Sequence, residues 1–150
     1  MKRYPKVLLH DHLDGGLRPE TIIEIADEIG YQGLPAKMSS ELADWFHEAA
    51  DSGTLERYLE TFNHTIAVMQ REKDIVRVAK EAVLDLAADG VIYAEVRVAP
   101  EHFTKKGLTM EAVTEAMLEG YRQGEVESGL KVNTILCGMR NFDKSQEVAE

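Results

Sequence analysis

A chain of 150 residues is long enough for one domain with a sizeable core. It carries 17 Lys and Arg against 27 Asp and Glu, a net charge of -10, which disfavours nucleic acid as a partner because phosphate binding needs a basic surface. Cys137 is the single cysteine, so no intrachain disulfide is possible, as expected for a cytoplasmic protein. We expect neither a signal peptide nor a membrane span, because no segment has the required apolar length.

The first predicted element is a short strand after Pro5. Its apolar run, Val7 to Leu9, is typical of a strand that is buried on both faces. The Gly15-Gly16 pair ends the strand, and Pro19 suits the first turn of a following helix. The polar residues in between therefore lie at the carboxyl end of a strand that leads into a helix. Parallel α/β folds place their active sites at this position.

Three polar side chains are expected on one face of that strand end. Side chains alternate along a strand, so His10, His12 and Asp14 share one side and Asp11 takes the other. Two imidazoles one pleat apart can both reach a single metal ion. The alternative is that the two histidines are polar surface residues and that Asp14 caps the turn before the next helix.

Apolar residues at helical spacing predict four helices between the first two strands, over residues 19–89. Gly30 is expected to end the first of them. Their predicted starts are, in order, Pro19, Ser39 or Ser40, Thr54 and Asp74. A connection of this length after a strand has room to form a lid or a pocket wall.

The third of these helices carries one apolar stripe. Its members are Leu55, Tyr58, Leu59, Phe62, Ile66 and Met69. Positions i, i+3, i+4 and i+7 lie on one face of a helix, and on the pattern alone such a stripe is a core face.

Two further strands follow the four helices. The second strand is predicted over Val91 to Val98 and the third over Lys131 to Met139, separated by a helix that Thr109 caps and Gly129 ends. A last helix is expected to begin at Asp143. The βα repetition predicts an α/β fold with a parallel sheet and no domain boundary.

Three stretches together resemble the adenosine deaminase family of metal-dependent amidohydrolases, which are (β/α)8 barrels. The first stretch is Leu9 to Gly15 followed by Arg18 to Ile22, the second is Tyr93 to Arg97 with Pro100, and the third is Gly129 to Arg140. They occur in the family's order and span nearly all of the chain. A complete barrel needs about 250 residues. The resemblance therefore implies a single, incomplete domain over residues 1–150. It would be the N-terminal part of the barrel, its first three β/α units, with a helical insertion after the first strand.

The resemblance also implies a reaction, the zinc-dependent hydrolytic deamination of adenosine or 2′-deoxyadenosine to the inosine product and ammonia. His10 and His12 would hold one Zn²⁺ per subunit, His12 would also belong to the substrate-binding residues, and Asp14 would contact the sugar. The apolar wall against the nucleoside would be Leu55, Tyr58, Leu59 and Phe62, with Ile66 and Met69 left in the core. The family's remaining metal ligands and its general acid and base are expected beyond residue 150, so no catalytic residue is assigned.

Other polar residues are expected to have supporting roles. Glu95 and Arg97 share a face of the second strand and Arg140 follows the third, and buried charges at such positions need partners. The three remaining histidines lie in helix or loop positions and are predicted at the surface: His47, His64 and His102.

Two alternatives remain open from the sequence. A related deaminase that acts on adenine or a modified adenine nucleoside would use the same first strand. A truncated, non-catalytic chain would act only as an interaction unit. The expected partner in the preferred interpretation is a small purine nucleoside, with no nucleic acid and no membrane, and the oligomeric state is not indicated.

Overall fold

The computed structural model describes residues 4–140, 142–143 and 146–149. Within these residues there are three strands and five α-helices: β1 (Lys6–His12), α1 (Pro19–Ile29), α2 (Ser39–Ala50), α3 (Leu55–Val68), α4 (Glu72–Ala88), β2 (Val91–Val98), α5 (Met110–Ser128) and β3 (Lys131–Leu136). A short 3₁₀ helix, Leu13–Gly15, follows β1, and a second, Pro100–Phe103, follows β2. None of the helices in the described ranges is long and apolar enough to cross a membrane.

The three strands form one parallel sheet in the order β1-β2-β3. β2 and β3 pair in unbroken register, from Tyr93 opposite Lys131 to Val98 opposite Leu136. Parallel neighbours need a long crossover connection, and here helices supply each one. The predicted α/β fold with a parallel sheet is confirmed.

Between Leu8 and Asp11, β1 contains one extra residue relative to β2. Leu8 lies opposite Ala94 and Asp11 lies opposite Val96, so three steps along β1 match two along β2. His10, inside this segment, has a φ of 65°, and it is the one non-glycine residue with a positive φ in the described part of the chain. An extra residue of this kind is a β-bulge, which redirects the side chains that follow it. The regular alternation predicted over this stretch is therefore wrong.

The two faces of the sheet differ in burial. Ala94 and Val96 of β2 are buried in the hydrophobic core together with the helices. On β1 only Leu8 packs against that core, whereas Val7 and Leu9 are 59% and 61% exposed. Among the described residues nothing packs on the second face of β1, so the predicted burial of this run on both faces is not met within this part of the barrel.

Glycine and threonine mark several helix ends as predicted. α1 ends at Gly30 with a φ of 69°, and α5 ends at Gly129 with a φ of 77°, a conformation that costs glycine little. Oγ1 of Thr109 accepts a hydrogen bond from the backbone N of Ala112 at 3.1 Å and so caps α5. Thr54 stands at the N-cap of α3, although its side chain makes no capping hydrogen bond.

Two predicted helix starts are wrong. The N-cap of α2 is Met38, with no side-chain cap, so neither Ser39 nor Ser40 has the predicted role. α4 begins two residues before Asp74, whose buried carboxylate instead pairs with Arg71 at 2.5 Å. An acidic side chain in a first helical turn is stabilised by the helix dipole even when it is not the cap.

The third strand is shorter than predicted. It ends at Leu136 and not at Met139. The first residue after it, Cys137, still donates its backbone N–H to the carbonyl of Val98 at 3.0 Å. The helix predicted from Asp143 is not found in its described residues, 143 and 146–149, which form turns, and its other residues lie outside the described ones.

His64 lies inside the helical insertion and not at the surface, which corrects the prediction. It is 9% exposed, its Nδ1 lies 3.0 Å from the hydroxyl of Tyr31, and its ring packs edge-on against Trp45 with 5.2 Å between centroids. Burial lowers the pKa of His64 below its ordinary value of 6.5, and the nearby carboxylate of Glu60 opposes this in part. His47 is exposed, as predicted.

Acid should therefore destabilise the insertion through His64. Below about pH 6.5 the unfolded imidazole takes up a proton that the buried one does not, so the stability is present above that pH and is lost as the pH falls. In the complete protein, His64→Gln should reduce the loss of unfolding free energy between about pH 7.5 and 5.5, measured by urea unfolding. His47→Gln is the matched control and should leave the pH dependence unchanged. If His64→Gln and the unsubstituted protein lose stability equally as the pH falls, the imidazole of His64 has the same pKa in the folded and unfolded states.

α4 and α5 approach closely because α5 presents glycine to α4. A Cβ on Gly120 would meet the carbonyl oxygen of Val76 and would lie 2.6 Å from Cβ of Ala79. One turn further along, a Cβ on Gly124 would lie 2.6 Å from Cβ of Val83. There is no room for a side chain at either position, since protein interiors are close-packed.

Gly120→Ala should lower the free energy of unfolding by about 1–3 kcal/mol through overpacking, although alanine has the higher helix propensity. Thermal and urea unfolding of the complete protein measure this effect. Gly16→Ala makes the same change where a Cβ meets nothing within 4 Å and where φ is -112°, so it should be close to neutral. If Gly120→Ala leaves the free energy of unfolding unchanged or raises it, α4 can move away from the new methyl group at no cost in stability.

Candidate active site

Two histidines lie together at the carboxyl end of β1. His10 is exposed and His12 is half-buried. Their ring centroids are 5.4 Å apart and the rings are tilted by 47°. The structure thus brings the two predicted residues together, but through the bulge and the left-handed backbone of His10, not through regular alternation.

The histidine pair, His10 and His12, has the chemistry of part of a metal site. Among the described residues neither Nε2 atom has a hydrogen-bond partner, and neutral imidazole nitrogens are ligands that Zn²⁺ prefers. The described residues contain no group of three or more His, Cys, Asp or Glu side chains that could hold a metal ion. The two imidazoles therefore fit two of the four positions that a zinc ion requires.

Asp14 is buried beside His12. It lies in the first 3₁₀ helix and is 8% exposed, and its Oδ1 is 4.0 Å from Nδ1 of His12. Nη1 of Arg97 is 3.2 Å from the same Nδ1. Arginine can only donate, so Nδ1 is the acceptor in this arrangement. A histidine that binds metal through Nε2 carries its hydrogen on Nδ1, and Asp14 is then the neighbouring acceptor.

Other charged side chains near the strand ends have local partners or face solvent. Oδ1 of Asp11 accepts from the backbone N–H of His12 at 2.9 Å and so fixes the backbone after the bulge. Oε1 of Glu95 accepts from the hydroxyl of Tyr93 at 2.8 Å. Arg140 is exposed.

The apolar stripe of α3 divides into two parts. Its amino-terminal members are Leu55, Tyr58 and Leu59, which are 66%, 43% and 52% exposed. Phe62 is half-buried and meets Tyr58 edge-on with 5.4 Å between centroids, whereas Ile66 and Met69 are buried in the core, as predicted. α3 packs against the 3₁₀ helix that carries Asp14.

The sequence analysis missed the second 3₁₀ helix as part of this region. Glu101 is 6% exposed, and its Oε2 accepts from the backbone N–H of Met139 at 2.6 Å. His102, predicted at the surface, is half-buried with its ring 5.2 Å from that of Phe142, and burial lowers its pKa. The signal that could have found both residues is their place after β2, which matches that of the histidine pair after β1.

Cavity shape does not mark this region. A cleft of about 350 Å³ lies between α1, α3 and the loop after β2, where Tyr31, Gln70 and Lys105 line it. The histidine pair is not among its lining residues. The chemistry of the strand ends, and not the volume of a cleft, identifies the candidate site.

The fold and these strand ends define a class of protein: part of an α/β barrel of the kind that enzymes use, with polar side chains at the carboxyl ends of parallel strands. The family model for adenosine deaminase matches residues 5–150, and the chain belongs to the adenosine deaminase family. It is 56% identical to adenosine deaminase 1 of Streptomyces coelicolor over 155 aligned positions, which cover 100% of this chain and 39% of the relative. The chain thus spans about two fifths of the length of the curated relatives that it matches.

Solved structures agree with this assignment. An adenine deaminase from Arthrobacter aurescens superposes with a TM-score of 0.80 at 25% identity, over 96% of this chain and 42% of that chain. An amidohydrolase from Burkholderia ambifaria, solved with bound zinc, has a TM-score of 0.76 at 25% identity, over 97% of this chain and 38% of that chain. The resemblance noted in the sequence, to deaminases built on (β/α)8 barrels, is confirmed.

Proposed function

We propose that the complete protein catalyses the zinc-dependent hydrolytic deamination of adenosine and 2′-deoxyadenosine to inosine or 2′-deoxyinosine and ammonia. The observation that carries the proposal is the His10–His12 pair at the carboxyl end of β1, in a chain of the adenosine deaminase family. The substrate is a small purine nucleoside, and the reaction takes place in the cytoplasm, in keeping with the single cysteine.

His10 and His12 hold the zinc, with one ion per subunit. When bound, zinc lowers the pKa of a bound water, so that hydroxide is available near neutral pH. The zinc in the structurally similar Burkholderia ambifaria amidohydrolase supports this choice of metal. The general acid and base are not assigned to residues of this chain.

Asp14 recognises the sugar, His12 also contacts the substrate, and the stripe of α3 excludes water. The carboxylate of Asp14 is buried and accepts a hydrogen bond from the ribose 5′-hydroxyl. The apolar wall against the nucleoside consists of Leu55, Tyr58, Leu59 and Phe62. The exposure of three of these four side chains supports the proposal, because large apolar groups at a surface mark sites that are covered when a ligand or partner binds.

Loss of both imidazoles should remove the metal. We expect about one zinc per subunit in the complete protein and almost none in the His10→Ala, His12→Ala double variant, which should also be inactive. Atomic absorption and the absorbance change on adenosine deamination measure the two effects. His47→Ala removes an exposed histidine of α2 and should change neither. Full zinc content in the double variant would refute the metal assignment.

Asp14 and Phe62 should affect different aspects of substrate choice. Without the ribose hydroxyl, the buried Asp14 carboxylate is left unpaired, which costs on the order of 1–3 kcal/mol. Asp14→Ala should therefore shrink the preference for adenosine over 5′-deoxyadenosine. About one zinc per subunit should still bind, but more weakly, because Asp14 is also the acceptor next to Nδ1 of His12. Phe62→Ala should lower kcat/KM for all nucleosides alike, because it removes apolar surface and no hydroxyl contact.

Steady-state deamination of adenosine, 2′-deoxyadenosine, 5′-deoxyadenosine and adenine by the two variants tests this division. If Asp14→Ala leaves the ratio of adenosine to 5′-deoxyadenosine unchanged, Asp14 is a turn residue and has no part in recognition.

A second candidate function is deamination of adenine or of a modified adenine nucleoside. The TM-score of 0.80 to the Arthrobacter aurescens adenine deaminase favours it. The same substrate series separates deamination of adenosine from deamination of adenine, and N6-methyladenosine added to it tests a modified nucleoside. A kcat/KM for adenine that exceeds the value for adenosine would favour adenine as the substrate, which has no ribose for Asp14 to recognise.

A further inference from the structure

The second 3₁₀ helix, Pro100–Phe103, holds the segment that follows β3. The buried carboxylate of Glu101 accepts the backbone N–H of Met139 at 2.6 Å, and the ring of His102 contacts that of Phe142. The residues of these two contacts are 38 and 40 positions apart in the chain. The backbone after β3 has left the sheet at this point, so Glu101 provides a partner that strand pairing no longer provides.

Met139 in turn contacts Arg97, which touches the candidate metal ligand. Nη2 of Arg97 lies 3.9 Å from Sδ of Met139, and Nη1 of the same guanidinium lies 3.2 Å from Nδ1 of His12. Both contacts place the guanidinium here, but only the contact with Met139 remains when Nδ1 of His12 carries a hydrogen, as it does in a histidine that binds metal through Nε2. Without the contact with Met139, the guanidinium of Arg97 can shift towards the imidazole of His12, which it already touches.

The backbone next to Glu101 is held in place by a buried side chain, that of Gln70. The amide Nε2 of Gln70 donates to the carbonyl of His102 at 3.0 Å and to the carbonyl of Ile66 at 2.8 Å. Two carbonyl partners fix which amide atom is the nitrogen, and Gln70 is 5% exposed. The backbone beside Glu101 is thus tied to the end of α3, so that the carboxylate cannot follow Met139 if the loop after β3 moves.

We propose that Glu101 is a positioning residue for His12, acting through Met139 and Arg97. The inference rests on the proposed function in one respect, the assignment of His12 as a zinc ligand. Glu101 keeps Met139 in place, Met139 restrains Arg97, and Arg97 is thereby kept from displacing the imidazole of His12. Side chains that orient a metal ligand from outside the ligand set typically change metal affinity by about 10–100-fold.

The test compares Glu101→Ala with Glu101→Gln in the zinc-loaded complete protein. Glutamine keeps the oxygen that accepts from Met139, and alanine does not. Zinc release to a chromogenic chelator should be about tenfold faster in Glu101→Ala and within about twofold of wild type in Glu101→Gln. Hydrogen exchange at the amide of Met139 should rise in the alanine variant alone.

A second variant keeps the test decisive if Glu101→Ala fails to fold. Met139→Leu retains the backbone bond to Glu101 and the side-chain volume but removes the sulfur that Arg97 contacts. It should release zinc faster than wild type, and Glu101→Ala should add little to it. Gly120→Ala, which acts on the α4–α5 contact, should lower stability and leave the release rate unchanged.

The outcomes separate this inference from the proposed function. Equal release rates for wild type, Glu101→Ala and Met139→Leu would overturn the positioning role while the zinc assignment stands. Retention of zinc after removal of both His10 and His12 would overturn the assignment itself.

Discussion

The β-bulge at His10 is the constraint on which the candidate site depends. If β1 kept the register that it has at Leu8 and Ala94, Asp11 would lie opposite Arg97; the extra residue puts His12 there. A shift of one residue exchanges the two faces of a strand, so the bulge decides which side chain meets the guanidinium. The left-handed backbone of His10 costs on the order of 1–2 kcal/mol, and such strain persists where surrounding contacts over-determine the conformation.

Three chain segments lie at the same edge of the sheet because the strands are parallel. The first 3₁₀ helix brings Asp14 beside His12, the second brings Glu101, and the loop after β3 brings Met139 to both Glu101 and Arg97. Parallel strands direct all of their carboxyl ends to one edge of the sheet, so residues that are distant in sequence become neighbours there. The family of the chain is known from comparison with other proteins. The residues that surround the histidine pair are known from the structure.

The sequence predicted those features that local rules determine. Gly30 and Gly129 end helices because of their left-handed backbones, and the composition of Val91–Val98 marks a strand. It placed His10 and His12 together for the wrong reason, since the left-handed position of this bulge holds a histidine and not the glycine that would have indicated it. The burial of His64 and Glu101 could not be predicted, because it depends on elements that are distant in the chain. The exposure of Val7 and Leu9 has the same origin, since an apolar run does not reveal which neighbours cover it.

Anomalous diffraction at the zinc edge from crystals of the complete protein tests the central claim most directly. The account predicts one anomalous peak at the carboxyl end of β1, about 2.0–2.1 Å from Nε2 of both His10 and His12, with the bulge and the positive φ of His10 retained. A zinc ion at another position would contradict this account. So would a regular β1 in which only one of the two imidazoles reaches the metal.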